Sequence, residues 1–512
     1  MRQGQEARTW PTGRATGFCT SAAAGAQWDE QAIRTAFCTD IKERYKAIKD
    51  FENKKQPEEL RFQLRVNADT KPKAVPYIAL IAPDQDTSGP YGGLSFVVFP
   101  ADMAGPPLVG MVVGTQSIAP DDVALGRPGH ARQCRAIARW LASLPAGGFA
   151  WAKRDLVNTD EKLPMTVKAQ LQPWANSSEK YGQVLYACFA PTDAGSAPGR
   201  CALEQAITVF MDLFMDERGI DRKAVAESAA QQTRSQWMAQ LMPTPDSRDV
   251  AQLLQARRFV ILEGPPGTGK TRMATEHLLA GDFAGFGEVI QFPAGTSYES
   301  FVGGLRPVTD ASAQGFRFAP VAGQLLRAIK QANSELAQPY LLVIGEINRA
   351  DLAKVLGECL YLFEPGAPHR QVALEHSFDE IRGHWLRLPA NLFILGTMNT
   401  ADRSIALMDL AVRRRFAFVT LWPDLTVLND PTRACKLMQE TFRQLLAIFV
   451  AHAADDAFAL LPGHAYFLSA NEAQAKIKLR TELKPLLLEY LAQGHVSGFR
   501  DEIYAFIDSL PE

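Results

Sequence analysis

Apolar and polar positions alternate in blocks along the second half of the chain, and the blocks have the lengths of strands and helices. Short apolar runs typical of buried parallel strands occupy four stretches, 259–262, 288–292, 340–344 and 391–395. Stretches with helical spacing separate these runs. Because strands that alternate with helices form parallel sheets flanked by helices, this half of the chain predicts an α/β domain.

The first half of the chain carries shorter and less regular signals. Strand-like runs lie at 77–82, 94–99, 108–113 and 184–189, and helical spacing covers 28–51, 126–144 and 203–214. A run rich in Asp and Gly, 84–93, predicts a loop. These elements predict a small antiparallel sheet with helices, an α+β domain. Two prolines followed by helix-capping residues at 242–247 give the strongest linker signal.

Composition narrows the class of protein. The chain has 512 residues, 47% of them hydrophobic and 21% charged, which suits a globular protein of about three domains. Its net charge of −2 gives no general attraction to nucleic acid or to an anionic membrane. Any DNA binding must therefore use a local patch or pocket. No apolar run approaches the ~18 residues of a membrane span, so we expect no membrane partner.

The cysteine pattern and residues 1–27 indicate in which cellular compartment the protein is expected. The seven cysteines are scattered and include no C-x-x-C pair, which favours reduced thiols over a disulfide framework or a zinc site. Residues 1–27 contain arginines and alanines but no apolar core of the kind that signal peptides have. We therefore expect a cytoplasmic protein with a disordered leader over 1–27.

One stretch carries a complete phosphate-binding motif, between the apolar run at 259–262 and a helical stretch. It consists of Gly264, Pro265, Pro266, Gly267, Thr268, Gly269, Lys270 and Thr271. Glycines allow backbone N–H groups to surround phosphate oxygens, and the following helix adds the positive end of its dipole. Lys270 is expected to reach the β- and γ-phosphates and Thr271 to ligate Mg²⁺. The motif predicts a nucleoside triphosphate site.

A second candidate site lies on the predicted helix over 126–144. Arg132, Arg135 and Arg139 share one face, which either contacts nucleic-acid phosphates or is an ordinary solvated helix face. His130 fits a helix start or a loop better than a ligand position. Aromatic side chains on which bases can stack occur in the same half, although tryptophan more often belongs to a core or an interface: Trp140, Trp151, Trp174 and Tyr181.

Further motifs follow the phosphate-binding loop in order: VIQFPAGTSYESFVGGLRP (289–307), GEINRADLAKVLGECLYLFE (345–364), GTMNTADRS (396–404), AVRRRF (411–416) and GHAYF (463–467). With the loop, they resemble the AAA+ motor subunit of McrB-type, 5-methylcytosine-directed restriction systems over about residues 248–495. The resemblance implies an AAA+ P-loop NTPase core at 248–422 and a C-terminal helical lid at 423–512. Residues 28–242 lie outside the resemblance, and we interpret them as a recognition or interaction domain.

Two polar residues follow the third and fourth apolar runs. Glu346 and Asn399 are therefore expected at the edge of the sheet that faces the phosphate-binding loop. There Glu346 fits a catalytic base for the attacking water, and Asn399 fits the family's sensor, bonded to that water or to the γ-phosphate. The resemblance also assigns Arg403, with Asp402, to the surroundings of the nucleotide.

Three consecutive arginines, Arg413, Arg414 and Arg415, resemble the arginine finger of the family, with Arg414 as the finger itself. Because such a finger enters the site of the next subunit, the resemblance implies a ring of copies of this chain, expected to be a hexamer. The alternative is a basic helix end that the helix dipole favours.

The sequence departs from the family at Gly345, where the family has an Asp directly before the catalytic Glu. That Asp orients Mg²⁺ through water. Without it, Mg²⁺ is held by Thr271 and the phosphates alone, which predicts slow hydrolysis with nucleotide binding retained. In the alternative, a nearby acid such as Asp351 compensates.

These observations leave three hypotheses of function. In the first, the chain is the NTP-driven, DNA-translocating motor of a modification-dependent restriction or phage-defence complex. Its N-terminal domain then reads DNA, for example by base flipping, and a separate nuclease subunit cuts. In the second, it is a MoxR-like remodelling or chaperone ATPase, and in the third a slowly hydrolysing assembly scaffold. The loop reads only phosphates, so ATP and GTP both stay open, although the McrB-type resemblance implies GTP.

Overall fold

The structure is a computed structural model that describes residues 37–39, 41–46, 63–67, 75–81, 93–103, 105–114, 127–156, 158, 162–310, 315–364, 366–367, 369–401 and 408–511. The predicted leader and most of the predicted helix over 28–51 lie outside these residues. Two compact units divide the chain. The N-terminal unit ends at Leu241 and takes in Val450–His452, and the C-terminal unit begins at Met242 and holds the rest.

The N-terminal unit contains a six-stranded sheet. Its strands are β1 (Gln63–Asn67), β2 (Tyr77–Ile81), β3 (Leu94–Phe99), β4 (Leu108–Val113), β5 (Gly148–Ala152) and β6 (Leu185–Pro191). They lie in the order β1-β2-β3-β4-β6-β5, and every neighbouring pair is antiparallel. The predicted antiparallel sheet is therefore confirmed, with β1 and β5 as strands that the sequence pattern did not indicate.

Among the helices of the described residues in this unit are α1 (Pro128–Ala142), α2 (Met165–Gln170), α3 (Ala175–Tyr181), α4 (Ala197–Asp216) and α5 (Ala224–Met238). Helix α4 contacts β3, β4 and β6, and α1 contacts β5 and β6. On one face of the sheet, Val97 and Phe99 of β3 pack in a cluster with Leu171 and Trp174. All six residues of β3 are buried, so helices and turns cover both of its faces.

The arginines of α1 do not form the continuous exposed stripe that either sequence interpretation assumed. Arg132 is buried, Arg135 is half-buried and Arg139 is exposed. Since the three side chains differ so much in exposure, the helix does not present them together as one phosphate-contacting or solvated face. His130 lies in the first turn of α1, as predicted.

The C-terminal unit is built on a parallel sheet. The strands are β7 (Phe259–Gly264), β8 (Gly287–Gln291), β9 (Gly303–Asp310), β10 (Gly315–Ala322), β11 (Tyr340–Gly345), β12 (Val372–Phe378), β13 (Gly383–Leu386), β14 (Leu392–Asn399) and β15 (Ala417–Thr420). Five of them pair in parallel in the order β15-β7-β14-β11-β8. The other four form two antiparallel hairpins, β9–β10 and β12–β13.

The helices of this unit are α6 (Ser247–Arg257), α7 (Lys270–Arg272), α8 (Tyr298–Phe301), α9 (Gln324–Ser334), α10 (Leu352–Leu356), α11 (Leu410–Arg415), α12 (Leu425–Leu428), α13 (Lys436–His452), α14 (Asp455–Phe458), α15 (Glu472–Lys478), α16 (Lys484–Ala492) and α17 (Arg500–Ser509). Helix α7 continues as a π-helical stretch, Met273–Asp282, and Leu479–Leu483 is a second one. The segment after β15 is helical, as expected for the lid.

Alternate residues of the central strands pack into two different hydrophobic clusters. Phe259 and Ile261 of β7 belong to a cluster with α9, whereas Val260 and Leu262 belong to a cluster with α6. A strand whose two faces are both covered must be apolar at successive positions, which is the pattern of the predicted runs at 259–262 and 340–344. The α/β fold with a parallel sheet between helices is confirmed. Across the part of the chain that the structure covers, no helix is long and apolar enough to span a membrane.

Candidate active site

The phosphate-binding loop connects β7 to α7, as the sequence predicts. Strand β7 ends at Gly264, and α7 begins at Lys270. Gly267 and Gly269 have φ angles of 80° and 84°. These angles lie in the left-handed region, where a side chain would strain the backbone. The glycine spacing of the motif therefore fixes the tight path of the loop.

Lys270 is held inside the loop. Its Nζ donates hydrogen bonds to the carbonyl oxygens of Gly264 at 2.9 Å and Pro265 at 2.7 Å. Burial lowers the pKa of Lys270 to about 8, and the Glu346 carboxylate opposes that shift. Thr268 closes the loop with a bond from Oγ1 to the Pro265 carbonyl at 3.1 Å. A polyanion at this loop would favour the charged lysine, because opposite charges stabilise each other.

The strand register brings the predicted catalytic residues to the same edge of the sheet. Asn399, the last residue of β14, pairs with Gly264 of β7, and the backbone N–H of Thr400 donates to the Gly264 carbonyl at 3.0 Å. Glu346 directly follows β11, the other neighbour of β14. Parallel strands thus deliver Glu346 and Asn399 beside the start of the loop.

Glu346 has a strained backbone and a half-satisfied carboxylate. Its φ of 51° and ψ of 46° are left-handed, which costs a non-glycine residue about 1–3 kcal/mol. Asn399 Nδ2 donates to Glu346 Oε1 at 2.9 Å. Glu346 Oε2 is buried without a hydrogen-bond partner among the described residues, and Arg349 Nε lies 3.7 Å from it. The arrangement leaves one carboxylate oxygen able to accept a further hydrogen bond.

The three arginines of α11 differ in their surroundings. Arg413 lies with its guanidinium carbon 5.1 Å from the ring centre of Phe418, and Arg415 donates to the Ala411 carbonyl at 2.7 Å. The side chain of Arg414 is 69% exposed and points outward. Its Nη2 donates to both carboxylate oxygens of Glu364 at 3.1–3.2 Å.

Both sequence interpretations of these arginines fit this geometry, because the residues end a helix and Arg414 still points outward. Arg403 and Asp402, the other predicted nucleotide-site residues, lie outside the described residues.

Gly345 leaves room for a side chain. A Cβ at this position would lie 3.5 Å from the Ile290 carbonyl oxygen and 3.6 Å from Gln291 Cγ, which are ordinary contact distances. Asp351, the acid considered as a substitute, caps α10. It accepts from the Lys354 N–H at 3.3 Å and forms an ion pair with the Lys354 ammonium group at 3.1 Å.

The oxygen groups at this edge suit a hard divalent cation. Thr271 lies exposed in the first turn of α7, and Glu346 Oε2 is an unpartnered acceptor. Hydroxyl, carboxylate and phosphate oxygens are the ligands that Mg²⁺ prefers, directly or through water. The residues therefore fit the ion that the motif implies.

A segment that the sequence did not place in the site contacts the loop directly. The backbone N–H groups of Gly463 and Ala465 donate to the carbonyls of Pro266 at 2.9 Å and Gly267 at 3.0 Å. A Cβ on Gly463 would lie 2.1 Å from the Gly267 carbonyl carbon, so only glycine permits this approach. The string GHAYF contained these residues, but nothing local in it indicated a contact some 200 positions away.

Comparison with known proteins agrees with this geometry. Residues 259–416 match the AAA domain of the dynein-related subfamily. The C-terminal unit carries an AAA domain. The matched stretch runs from the first residue of β7 to the residue after α11, so it includes the loop, Glu346, Asn399 and the three arginines.

Two curated relatives are subunits of restriction systems. The Type IV methyl-directed restriction enzyme EcoKMcrB subunit of Escherichia coli (strain K12) is 31% identical over 268 residues, covering 51% of this chain and 57% of the relative. The Type II restriction enzyme BsuMI component YdiS of Bacillus subtilis (strain 168) is 27% identical over 189 residues, covering 31% and 55%. The match thus spans a little over half the length of each relative. The resemblance of this AAA+ region to the motor subunit of McrB-type systems is confirmed.

Among solved structures, NtrX from Brucella abortus in complex with ATP is 12% identical, covers 56% of this chain and 75% of that chain, and has a TM-score of 0.23. A likeness at that TM-score carries no argument. The fold rests on the strand order of the sheet and on the AAA match.

Proposed function

We propose that this protein is the NTP-driven motor subunit of a restriction complex that acts on modified DNA, with cleavage by a separate nuclease subunit. The observation that carries the proposal is the convergence of Lys270, Glu346 and Asn399 at one edge of the parallel sheet. The two restriction relatives support the biological setting. We propose a cytoplasmic location as part of this function.

Hydrolysis follows from the positions of these groups. Backbone N–H groups of the loop and the Lys270 ammonium bind the phosphate chain. Thr271 would hold Mg²⁺, which neutralises developing charge on the phosphate oxygens. Glu346 Oε2, buried and unpartnered, accepts the proton of the attacking water, while Asn399 fixes the other oxygen of the same carboxylate.

We further propose a ring, with Arg414 as the residue that completes the site of the next copy. The exposed guanidinium at the end of α11 supports this role, since it faces away from its own unit's core. Glu364 supplies a resting partner, and an exposed ion pair of this kind is weak enough to exchange for a phosphate. A hexamer is the assembly that the McrB-type resemblance implies.

The N-terminal unit is the proposed DNA reader. Its six-stranded sheet and helices form a core separate from the nucleotide site, as a recognition domain requires. With a net charge of −2 for the whole chain, binding has to come from a local surface rather than from a general field. Salt-dependent binding of methylated DNA by the full-length protein is the expected result.

The deciding experiment is hydrolysis of ATP and of GTP by the full-length protein with Mg²⁺, beside the Lys270→Ala variant. We expect turnover that the variant loses, and GTP preference would favour the restriction motor. ATP preference would favour a remodelling ATPase. Turnover that survives in Lys270→Ala would place the activity outside this loop and overturn the proposal.

One observation favours a second function, a slowly hydrolysing assembly scaffold. Gly345 supplies no carboxylate at the position where the family has Asp, and Asp351 is engaged with Lys354. A protein that binds nucleotide and assembles on it, with no measurable turnover in the presence of DNA and nuclease partner, would support the scaffold.

A further inference from the structure

The segment 463–467 brings a histidine to the phosphate-binding loop. His464 Nδ1 accepts a hydrogen bond from the backbone N–H of Asp424 at 3.0 Å. A nitrogen that accepts carries no proton, so the proton of the neutral ring lies on Nε2. Burial lowers the pKa of His464, which keeps the ring neutral at physiological pH, although the Asp424 carboxylate opposes this shift. The geometry therefore makes Nε2 a hydrogen-bond donor.

That donor faces the loop. His464 Nε2 lies 3.7 Å from the position that a Cβ on Gly269 would take. In the hydrogen bonds of the described residues, His464 uses Nδ1 alone. Gly269 directly precedes Lys270 and the first turn of α7, where the phosphates of a bound nucleotide are expected. The donor thus lies next to the residue that directly precedes this phosphate-binding turn.

The histidine is held firmly in this position. Lys478 of α15 donates from Nζ to the carbonyls of Ala465 at 2.8 Å and Leu468 at 3.3 Å. The Tyr466 ring lies 3.0 Å from the position that a Cβ on Gly267 would take, which closes the segment over the loop. A donor fixed in advance loses little entropy on binding, so its hydrogen bond contributes more to affinity.

We propose that His464 is a nucleotide-binding residue whose Nε2–H donates to a phosphate oxygen of the nucleotide on the loop. This inference rests on the proposed nucleotide binding and adds a contact from the helical region after β15. Because His464 is bonded to Asp424, and its neighbour Ala465 to Lys478, nucleotide on the loop would also hold that helical region in place.

The test is calorimetric titration of the full-length protein with ADP and with GDP in Mg²⁺ buffer. His464→Phe keeps a flat ring but removes the donor, His464→Asn keeps a group near Nδ1, and His464→Gln restores an N–H near Nε2. We expect the Phe and Asn variants to bind about tenfold more weakly, as for loss of one hydrogen bond to a charged group, and Gln to stay within about threefold of wild type. His369→Phe, at an exposed histidine of the same unit, is the matched control and should bind normally.

A phosphate contact predicts the same loss for ADP and GDP, because the two share only ribose and phosphates. A loss confined to one base would overturn the phosphate assignment. If His464→Phe does not fold, as shown by its thermal unfolding without nucleotide, His464→Asn carries the test.

If His464→Phe and His464→Asn bind nucleotide with wild-type affinity while Lys270→Ala loses binding, the inference is overturned and the proposed function stands. A wild-type protein that binds neither nucleotide would overturn both.

Discussion

Two carboxylates with buried oxygens, one in each unit, differ in how completely they are hydrogen-bonded. In the N-terminal unit, the Asp212 carboxylate is bonded by Arg44 and by the Tyr45 hydroxyl at 2.6 Å, and Arg222 Nε lies 3.0 Å away. In the C-terminal unit, Glu346 Oε2 is also buried but accepts no hydrogen bond from the described residues, although Arg349 Nε lies 3.7 Å away. A fully partnered buried charge belongs to the architecture, whereas a partly unpartnered one costs stability and marks a place for chemistry.

Two histidines show the same contrast. His130 of the N-terminal unit is fully buried and uses both ring nitrogens, with Glu217 Oε1 at 2.8 Å and the Tyr186 hydroxyl at 3.2 Å. His464 of the C-terminal unit is half-buried, and among the described residues it forms its hydrogen bond through Nδ1, which accepts from the Asp424 N–H. The two histidines thus differ both in burial and in the number of ring nitrogens that are hydrogen-bonded, and the ring with a nitrogen to spare is the candidate ligand.

The largest expected effect belongs to Arg414→Ala. If the guanidinium completes a neighbour's site, hydrolysis should fall by about 10³–10⁵, the usual worth of an arginine finger. Nucleotide binding and folding should persist, because the side chain is mostly exposed. The measurement is steady-state turnover, and Arg433→Ala, which removes an exposed pair with Asp430, is the control.

A mixing experiment sharpens this prediction. Arg414→Ala and Lys270→Ala are each expected to be inactive, but mixed rings would contain sites with an intact loop and an intact finger. Partial recovery of turnover on mixing supports a shared site. Arg414→Ala with wild-type turnover would leave only the helix-end interpretation.

Glu346→Gln tests the unpartnered oxygen. Gln keeps the size of the side chain and an oxygen for the Asn399 bond, but it cannot take a proton. We expect turnover to fall by about 10²–10⁴ and nucleotide affinity to stay near wild type, as measured by single-turnover hydrolysis and titration. Glu358→Gln, at an exposed carboxylate bonded by Tyr298, is the matched control. A variant that hydrolyses normally would contradict the role of Glu346 as base.

Asp212→Asn tests the hydrogen-bonded, buried carboxylate of the N-terminal unit. It removes the counter-charge of Arg44 in the core and one of the three carboxylates around Arg222, which should cost about 3–5 kcal/mol of unfolding free energy. Asp221→Asn, which breaks only an exposed pair with Lys46, should cost less than about 1 kcal/mol. Unfolding by denaturant, followed through the transition of the N-terminal unit, distinguishes the two variants. Equal costs for the two variants would contradict the architectural role of Asp212.

His130 adds a pH dependence to the N-terminal unit. Burial by itself would lower the pKa of His130, but Cys134 and the Glu217 carboxylate outweigh it and raise the pKa to about 10. The folded state thus binds a proton that the unfolded state releases near its ordinary pKa of 6.5. The stabilisation is complete below that value and is lost as pH rises towards 10.

The size of this effect should be about 1.5–3 kcal/mol, as for hydrogen bonds to a charged group. The measurement is unfolding free energy against pH, compared with His130→Asn, which should lack this slope. Parallel pH profiles for the two proteins would show that His130 is not charged in the fold.

The sequence predicted the parts of this molecule that depend on local pattern. Three of the runs became the central strands β7, β11 and β14, because strands covered on both faces must be apolar throughout, and the run at 288–292 became the partly exposed edge strand β8. Placing Glu346 and Asn399 at one edge needed only the rule that parallel strands end together. The hairpins β9–β10 and β12–β13 were not predicted, since their sequences mix Gly, Pro and charges with exposed aromatics such as Phe318 and Trp385.

What the pattern did not predict are contacts between distant positions. Arg44 contacts Asp212 across 168 positions, and Gly463 contacts Pro266 across some 200 positions that include most of the parallel sheet. No periodicity encodes such a pairing, because it depends on how complete elements pack. The partners of His464 and Asp212 therefore became visible only in the structure.

The smallest expected effect is that of Gly345→Asp, a substitution that should change both the turnover and the stability of the protein. The Cβ has ordinary contacts at 3.5–3.6 Å, so the fold should accept the new side chain. It would place a second carboxylate beside Glu346, and only the Mg²⁺ that arrives with the nucleotide can offset its charge. We expect about tenfold faster turnover at low Mg²⁺, with a smaller gain at saturating Mg²⁺, and a slightly less stable apoprotein. Gly345→Asn, similar in shape but uncharged, is the control, and equal rates for the two variants would show that the missing Asp does not limit this site.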